Sequence, residues 1–188
     1  MYLTRQIHFY ILTLLLECYN YVIQYCEVDM DNFETAINGV KIISKILNIP
    51  EPPVSFFNPV EVSNKDITGM YLFESDEIIF NEEWVKRSPW IEVIVTAFHE
   101  TRHAYQGYCI RTKSIESIDT LVKWENETLN YVRPSGKNNE IDDYCYLNQS
   151  IEIDAIAFTH MKIFEFFNVK SVIPNMIKAS VSARLNEL

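Results

Sequence analysis

Two of the four histidines in this 188-residue chain lie close together, in the string His-Glu-Thr-Arg-His at residues 99–103. On a helix, positions i and i+4 lie on one face, so both imidazoles can reach a single metal ion. Glu100 lies one step round the helix, where it can take a proton from water polarised by that metal. Two neutral imidazoles with a carboxylate suit zinc. The string therefore predicts a zinc site able to hydrolyse an amide bond.

A surface helix is the alternative interpretation of the same segment. Its polar residues also follow helical spacing, as a stripe of Glu92, Thr96, His99, His103 and Gln106. Periodicity alone therefore leaves both interpretations open.

A second segment, residues 149–167, is apolar on more than one helical face, which predicts a buried helix. Near its start it carries Glu152 and Asp154. Burying a carboxylate is costly unless a metal ion or a hydrogen-bonded histidine compensates it. The alternative is that both acids lie at the helix N-terminus, favoured by the helix dipole and open to water.

Together the two segments resemble the minigluzincins, small single-domain zinc metallopeptidases of bacteria and phages, and are similar to the ImmA/IrrE-type proteases. The resemblance rests on H-E-x-R-H-x-x-Q at residues 99–106 and E-x-D-A-x-x-F at residues 152–158, and it covers about residues 67–167. It implies Zn²⁺ as cofactor, with His99, His103 and Glu152 as its ligands and Glu100 as general base. A peptide or protein is then the expected substrate.

The chain departs from the wider gluzincin pattern at Ile156, where an aspartate often follows the ligand glutamate by four residues. The nearest acid is Asp154, which faces another side of the helix, so its role stays open. Arg102 either pairs with a carboxylate such as Asp154 and joins the two helices, or is exposed. His160 lies two turns beyond Glu152, about 12 Å along the axis, and is expected to be a hydrogen-bonded core histidine away from the metal.

Composition bounds the class of protein. The hydrophobic share of 48% and the aromatic share of 13% indicate a globular domain. The net charge of −10, without a basic cluster, speaks against a nucleic-acid partner.

The apolar run at residues 7–16 is too short to span a membrane and lacks a cleavage site, so we expect a packed helix in a cytoplasmic protein. The four cysteines form no C-x-x-C pair and are expected to be thiols.

The predicted fold is α+β, a mainly helical zincin-like single domain over residues 1–188 with a sheet of about three strands. Its parts are an N-terminal helical pair (1–50), the small sheet (54–81), the metal-site helices (89–167) and a C-terminal helix (174–188). Ser88 is the expected cap of the metal helix, with Pro89 at its first position. The strands are expected at Val54–Phe57, Thr68–Phe73 and Glu77–Asn81.

Two further features have a possible role in catalysis. By the resemblance, Thr68–Phe73 is an edge strand that pairs with an extended substrate, although the hairpin can equally be structural. Tyr144 and Tyr146 lie in a predicted loop over 133–148 and are candidates to donate a hydrogen bond to the oxyanion of amide hydrolysis.

The sequence thus favours a zinc-dependent metallopeptidase. A zinc-binding, non-proteolytic regulatory or interaction protein is the alternative, and a helical domain without metal is the third. The oligomeric state stays open.

Overall fold

The computed structural model describes residues 31–61, 67–137 and 139–188. These residues form a mainly helical α+β domain with a three-stranded mixed sheet, which confirms the predicted fold class. The predicted N-terminal helix, with Cys18 and Cys26, lies outside the described residues.

The helices are α1 (Asn32–Leu47), α2 (Glu82–Arg87), α3 (Trp90–Thr112), α4 (Ile118–Leu129), α5 (Tyr144–Leu147), α6 (Ser150–Phe167) and α7 (Lys178–Leu185). The strands are β1 (Val54–Phe57), β2 (Gly69–Leu72) and β3 (Glu77–Asn81). Short 3₁₀ turns lie at Pro59–Glu61 and Asn175–Ile177.

The long helix α3 runs through the domain and packs against α1, the sheet and α6. Gly39 permits the close approach of α1, because a Cβ atom there would lie 2.9 Å from the Cβ of Ala97. Between α1, α3 and α6 the core contains residues such as Ile43, Phe98 and Ile163, all without solvent exposure. The helix is therefore held on several sides, as a rigid carrier of functional side chains requires.

The start of α3 differs from the prediction. Its first residue is Trp90, with Pro89 at the N-cap position, while Ser88 ends the preceding helix α2. The sequence analysis missed α2, which begins directly after β3 with Asn81 as its cap and a hydrogen bond from the Trp84 N–H to the Asn81 side chain. Since α3 begins one residue later than predicted, Ser88 lies outside its cap position, and α3 has no side-chain capping hydrogen bond.

In the sheet, β3 is central, parallel to β1 and antiparallel to β2. Ile78 and Phe80 of β3 point into the core and are fully buried. The predicted bounds of β1 and β3 are confirmed, whereas β2 is one residue shorter at each end than Thr68–Phe73. Gly69 brings β2 close to α3, since a Cβ atom there would lie 3.0 Å from the Thr96 side chain.

Helix α6 is the predicted buried helix and carries both acids in its first turns. Its N-cap residue Gln149 makes no capping hydrogen bond, and the cap comes from α4 instead. The Glu127 carboxylate accepts hydrogen bonds from the N–H groups of Ser150 and Ile151, at 3.0 and 2.9 Å, and from the Ser150 hydroxyl at 2.7 Å. No helix in the described ranges is long and apolar enough to cross a membrane.

Glu127→Gln should lower the free energy of unfolding by about 1 kcal/mol, the typical value of a helix cap. For a chain of this length that corresponds to a fall in Tm of roughly 2–4 °C. The matched control is Glu125→Gln on the same helix, whose exposed pair with Lys113 should contribute less than about 0.5 kcal/mol. Thermal unfolding of both variants would measure the difference, and equal Tm values would contradict the capping role.

Candidate metal centre

Three side chains from two helices converge where α3 meets α6. His99 and His103 lie one turn apart on α3, with 3.0 Å between their Nε2 atoms. Glu152, in the first turn of α6, places Oε2 3.4 Å from His99 Nε2 and Oε1 3.4 Å from His103 Nε2. Their potential ligand atoms all lie within 4.8 Å of one another. The group could therefore hold a metal ion.

The surroundings of Glu152 fit a cation at this point. Its side chain has no solvent exposure, and Oε2 has no hydrogen-bond partner among the residues that the structure describes. An unpaired buried carboxylate oxygen is costly. A metal ion held between two imidazoles and this oxygen would compensate it, and the mixed nitrogen and oxygen donor set suits zinc.

The charges of these groups shift the pKa values of Glu152 and His103 in opposite directions. Burial by itself would raise the pKa of Glu152, but the adjacent His103 and His99 hold it well below its usual range. Burial would likewise lower the pKa of His103, yet the charges of Glu152 and Glu100 with hydrogen bonds to Glu152 and Gln106 raise it to about 9. The pocket thus stabilises positive charge next to the buried carboxylate.

A tyrosine that the sequence analysis missed completes the surroundings of Glu152. The Tyr131 hydroxyl donates a 2.6 Å hydrogen bond to Glu152 Oε1. Its ring packs edge-on against Tyr146, with 6.2 Å between the ring centroids. Burial and the negative charge of Glu152 raise the pKa of both phenols far above the ordinary value, so both keep their protons. Of the two tyrosine candidates, Tyr146 borders the centre, whereas Tyr144 is exposed.

The Gln149 side chain holds the backbone next to Tyr131 in place. Its side-chain amide accepts a hydrogen bond from the Val132 N–H at 2.9 Å and donates one to the Val132 carbonyl at 3.0 Å. It also donates to the Tyr146 carbonyl at 3.1 Å. One buried amide therefore joins the backbone next to Tyr131 to the backbone of Tyr146.

A cleft of about 370 Å³ opens beside the centre. It lies between α3, the start of β2 and the loop before α6, and it is lined by Ile67, Thr68, Gly69, Val95, Thr96, His99, Glu100, Pro134, Gly136, Asp143 and Tyr146. Glu100 borders the cleft but is not part of the His-His-Glu group. β2 has β3 as its partner in the sheet and is an edge strand, as predicted for the strand at 68–73.

Arg102 is buried and joins the two helices, so its exposed alternative is wrong. Its Nε and Nη2 atoms donate to the two carboxylate oxygens of Asp154, at 2.8 and 3.0 Å. The guanidinium lies between the rings of Tyr105 and Phe158, 4.2 and 4.7 Å from their centroids. Burial would raise the pKa of Asp154, but Arg102 and Arg184 hold it below its usual range. The role that the sequence left open for Asp154 is an ionised partner of buried cations.

Gln106 and Arg184 complete this polar cluster. The Gln106 amide lies between His103 and Asp154, with Oε1 2.8 Å from His103 Nδ1 and Nε2 2.7 Å from Asp154 Oδ2. Arg184, on the C-terminal helix α7, donates through Nε to Asp154 Oδ1 at 2.8 Å. Arg184 is 30 residues from Asp154, and no pattern in the sequence indicates that the two residues are in contact.

The remaining candidates lie away from the centre. His160 makes a 2.9 Å hydrogen bond between Nδ1 and the Ser171 hydroxyl, as predicted, but it is half-buried rather than a core residue. Cys109 is a buried thiol, and Cys145 is an exposed one.

Comparison of the chain with protein-family models, with curated proteins and with solved structures found no match.

Proposed function

We propose that this chain is a zinc-dependent metallopeptidase of gluzincin type, with His99, His103 and Glu152 as zinc ligands and Glu100 as general base. The observation that carries the proposal is the buried Glu152 carboxylate, whose two oxygens each lie 3.4 Å from one imidazole of the 99–103 string while Oε2 accepts no hydrogen bond from the described residues. A third protein ligand from a second helix, beside an open cleft, is the arrangement of a catalytic rather than a closed structural zinc site.

When bound, zinc would supply a polarised water as nucleophile at neutral pH. Glu100 borders the cleft next to His99, where it can accept a proton from that water and later donate it to the leaving amine nitrogen. The Glu100 carboxylate alone can then carry out both proton transfers of amide hydrolysis. Its place outside the ligand group leaves Glu100 free for this role.

The substrate is proposed to bind as an extended peptide along β2. Gly69, the first residue of this edge strand, lines the cleft together with the preceding Ile67 and Thr68. A peptide backbone there can add to the sheet through main-chain hydrogen bonds. Tyr146 borders the same cleft and keeps its phenolic proton, so it can donate to the oxygen of the scissile carbonyl.

Zinc affinity tests the ligand set. Glu152→Gln retains an acceptor for Tyr131 but loses the charge, so the affinity should fall by more than the roughly 10–100-fold typical of losing an outer hydrogen-bond partner. The matched control, Glu165→Gln, changes an acid of the same helix that pairs with Lys162 and should bind zinc as the parent does. Competition against a chromophoric chelator gives both values. Unchanged affinity of the Glu152 variant would refute this ligand assignment.

Chelation should lower the Tm without unfolding the protein, because the metal would join α3 and α6 inside a core that is already apolar. At a zinc concentration of 1,000 times Kd, binding contributes about 4 kcal/mol, or roughly 8–16 °C in Tm for a domain of this length. Differential scanning fluorimetry with zinc and with a chelator measures the shift. The Glu152→Gln variant should show little of it, and complete unfolding of the parent on chelation would indicate a structural site.

Glu100→Gln tests the enzymatic claim. The variant should bind zinc with parental affinity but hydrolyse peptides at least roughly 10²–10⁴-fold more slowly, the usual contribution of general acid–base catalysis. Cleavage of a proteome-derived peptide library, followed by mass spectrometry, provides the readout. Glu92→Gln, an exposed acid of the same helix, is the control. A parent protein that binds zinc but cleaves no peptide would favour the non-proteolytic zinc protein, and equal cleavage by parent and variant would exclude Glu100 as the base.

A further inference from the structure

Gln106 is fully buried and connects His103 to the polar cluster between α3, α6 and α7. Its Nε2 group donates two hydrogen bonds, to the Ile151 carbonyl at 2.9 Å and to Asp154 Oδ2 at 2.7 Å. Its Oε1 atom lies 2.8 Å from His103 Nδ1. Every polar atom of this amide therefore has a partner.

The partners determine which way the amide faces. A backbone carbonyl and an ionised carboxylate can only accept hydrogen bonds, so the side of Gln106 that faces them must be its NH₂ group. The opposite side, which faces His103, is then the carbonyl oxygen. Because this oxygen only accepts, His103 Nδ1 must carry a proton.

The proton on His103 Nδ1 also determines the state of the other ring nitrogen, Nε2. In the neutral ring a proton on Nδ1 leaves the lone pair on Nε2, the atom 3.4 Å from Glu152 Oε1 and 3.0 Å from His99 Nε2. That is the nitrogen that faces the centre. The opposite tautomer would direct an N–H group at the position of the metal.

Asp154 prevents the Gln106 amide from flipping. Arg102 binds both of its oxygens, and Arg184 of α7 binds Oδ1 at 2.8 Å, so the carboxylate is ionised and fixed. An ionised Asp154 cannot donate a hydrogen bond, so a flipped Gln106 would place its oxygen against another acceptor.

We propose that Gln106 and Asp154 are positioning residues that select the metal-binding tautomer of His103, with Arg184 anchoring them from the C-terminal helix. The proposal rests on the metal centre described above. It assigns Asp154 a function at the centre through Gln106, although Asp154 has no place among the ligands. A cluster that only held the helices together would not require the ring nitrogen to be a donor.

Gln106→Met removes the amide while keeping a side chain of similar length. Its zinc affinity, measured by chelator competition, should fall roughly 10–100-fold, as loss of such hydrogen-bond partners usually causes. Glu116→Gln is the matched control, because Glu116 contacts Arg102, Arg184 and Tyr105 in the same cluster but not Gln106. The control should bind zinc with an affinity close to that of the parent even if its Tm falls. Parental affinity in the Gln106 variant, or an equal loss in the control, would overturn the proposal.

The tautomer can be read directly in the parent protein, which keeps the proposal testable should Gln106→Met not fold. Long-range ¹H–¹⁵N spectra of the zinc-free protein, at a pH where the ring is neutral, should show His103 protonated at Nδ1 and unprotonated at Nε2. The opposite tautomer would refute the proposal. This outcome is independent of the proposed enzyme, since failure of the parent to bind zinc would remove the metal centre but leave the spectrum to decide the role of Gln106.

Discussion

A carboxylate without access to water lies at the contact of α3 and α6, and its charge must be compensated there. Isolated burial of an ionised carboxyl group costs several kcal/mol. Around Glu152 the compensation comes from two imidazoles, the Tyr131 hydroxyl and the N-terminal end of α6, whose dipole favours negative charge in the first turn. The convergence of this carboxylate with two imidazoles, with Oε2 accepting no hydrogen bond from the described residues, is what makes the group a candidate metal centre.

Two acids on one helix have opposite surroundings. Glu152 faces imidazoles that can bind a metal, whereas Asp154, two residues on, accepts hydrogen bonds from the guanidinium groups of Arg102 and Arg184. Both carboxylates are held ionised, but only Glu152 keeps an oxygen free for a further ligand. This division lets one apolar helix carry a carboxylate of the candidate metal centre and a second carboxylate that binds Arg102 and Arg184.

The walls of the cleft are also positioned by elements that pack next to the contact of α3 and α6. The loop between α4 and α6 is fixed by Gln149 and by the Glu127 cap, and it forms one wall. Gly69 lets the start of β2 lie against α3 to form the other wall. Glu100 lines the cleft together with these walls. Glu152 is therefore completely buried, whereas Glu100 borders the cleft.

The sequence by itself determined the features that depend on local periodicity. The spacing of His99 and His103, the buried character of α6 and the strands β1 and β3 all follow from patterns within a few residues. Only the tertiary structure decided which side chains meet across long separations, such as Tyr131 with Glu152, 21 residues apart, and Gln106 with Asp154, 48 apart. Periodicity assigns a residue to a face of its own helix, but the path of the intervening loops decides what that face contacts. Helix α2 and the cap from Glu127 were missed for related reasons, since one is too short for a clear period and the other comes from a different element.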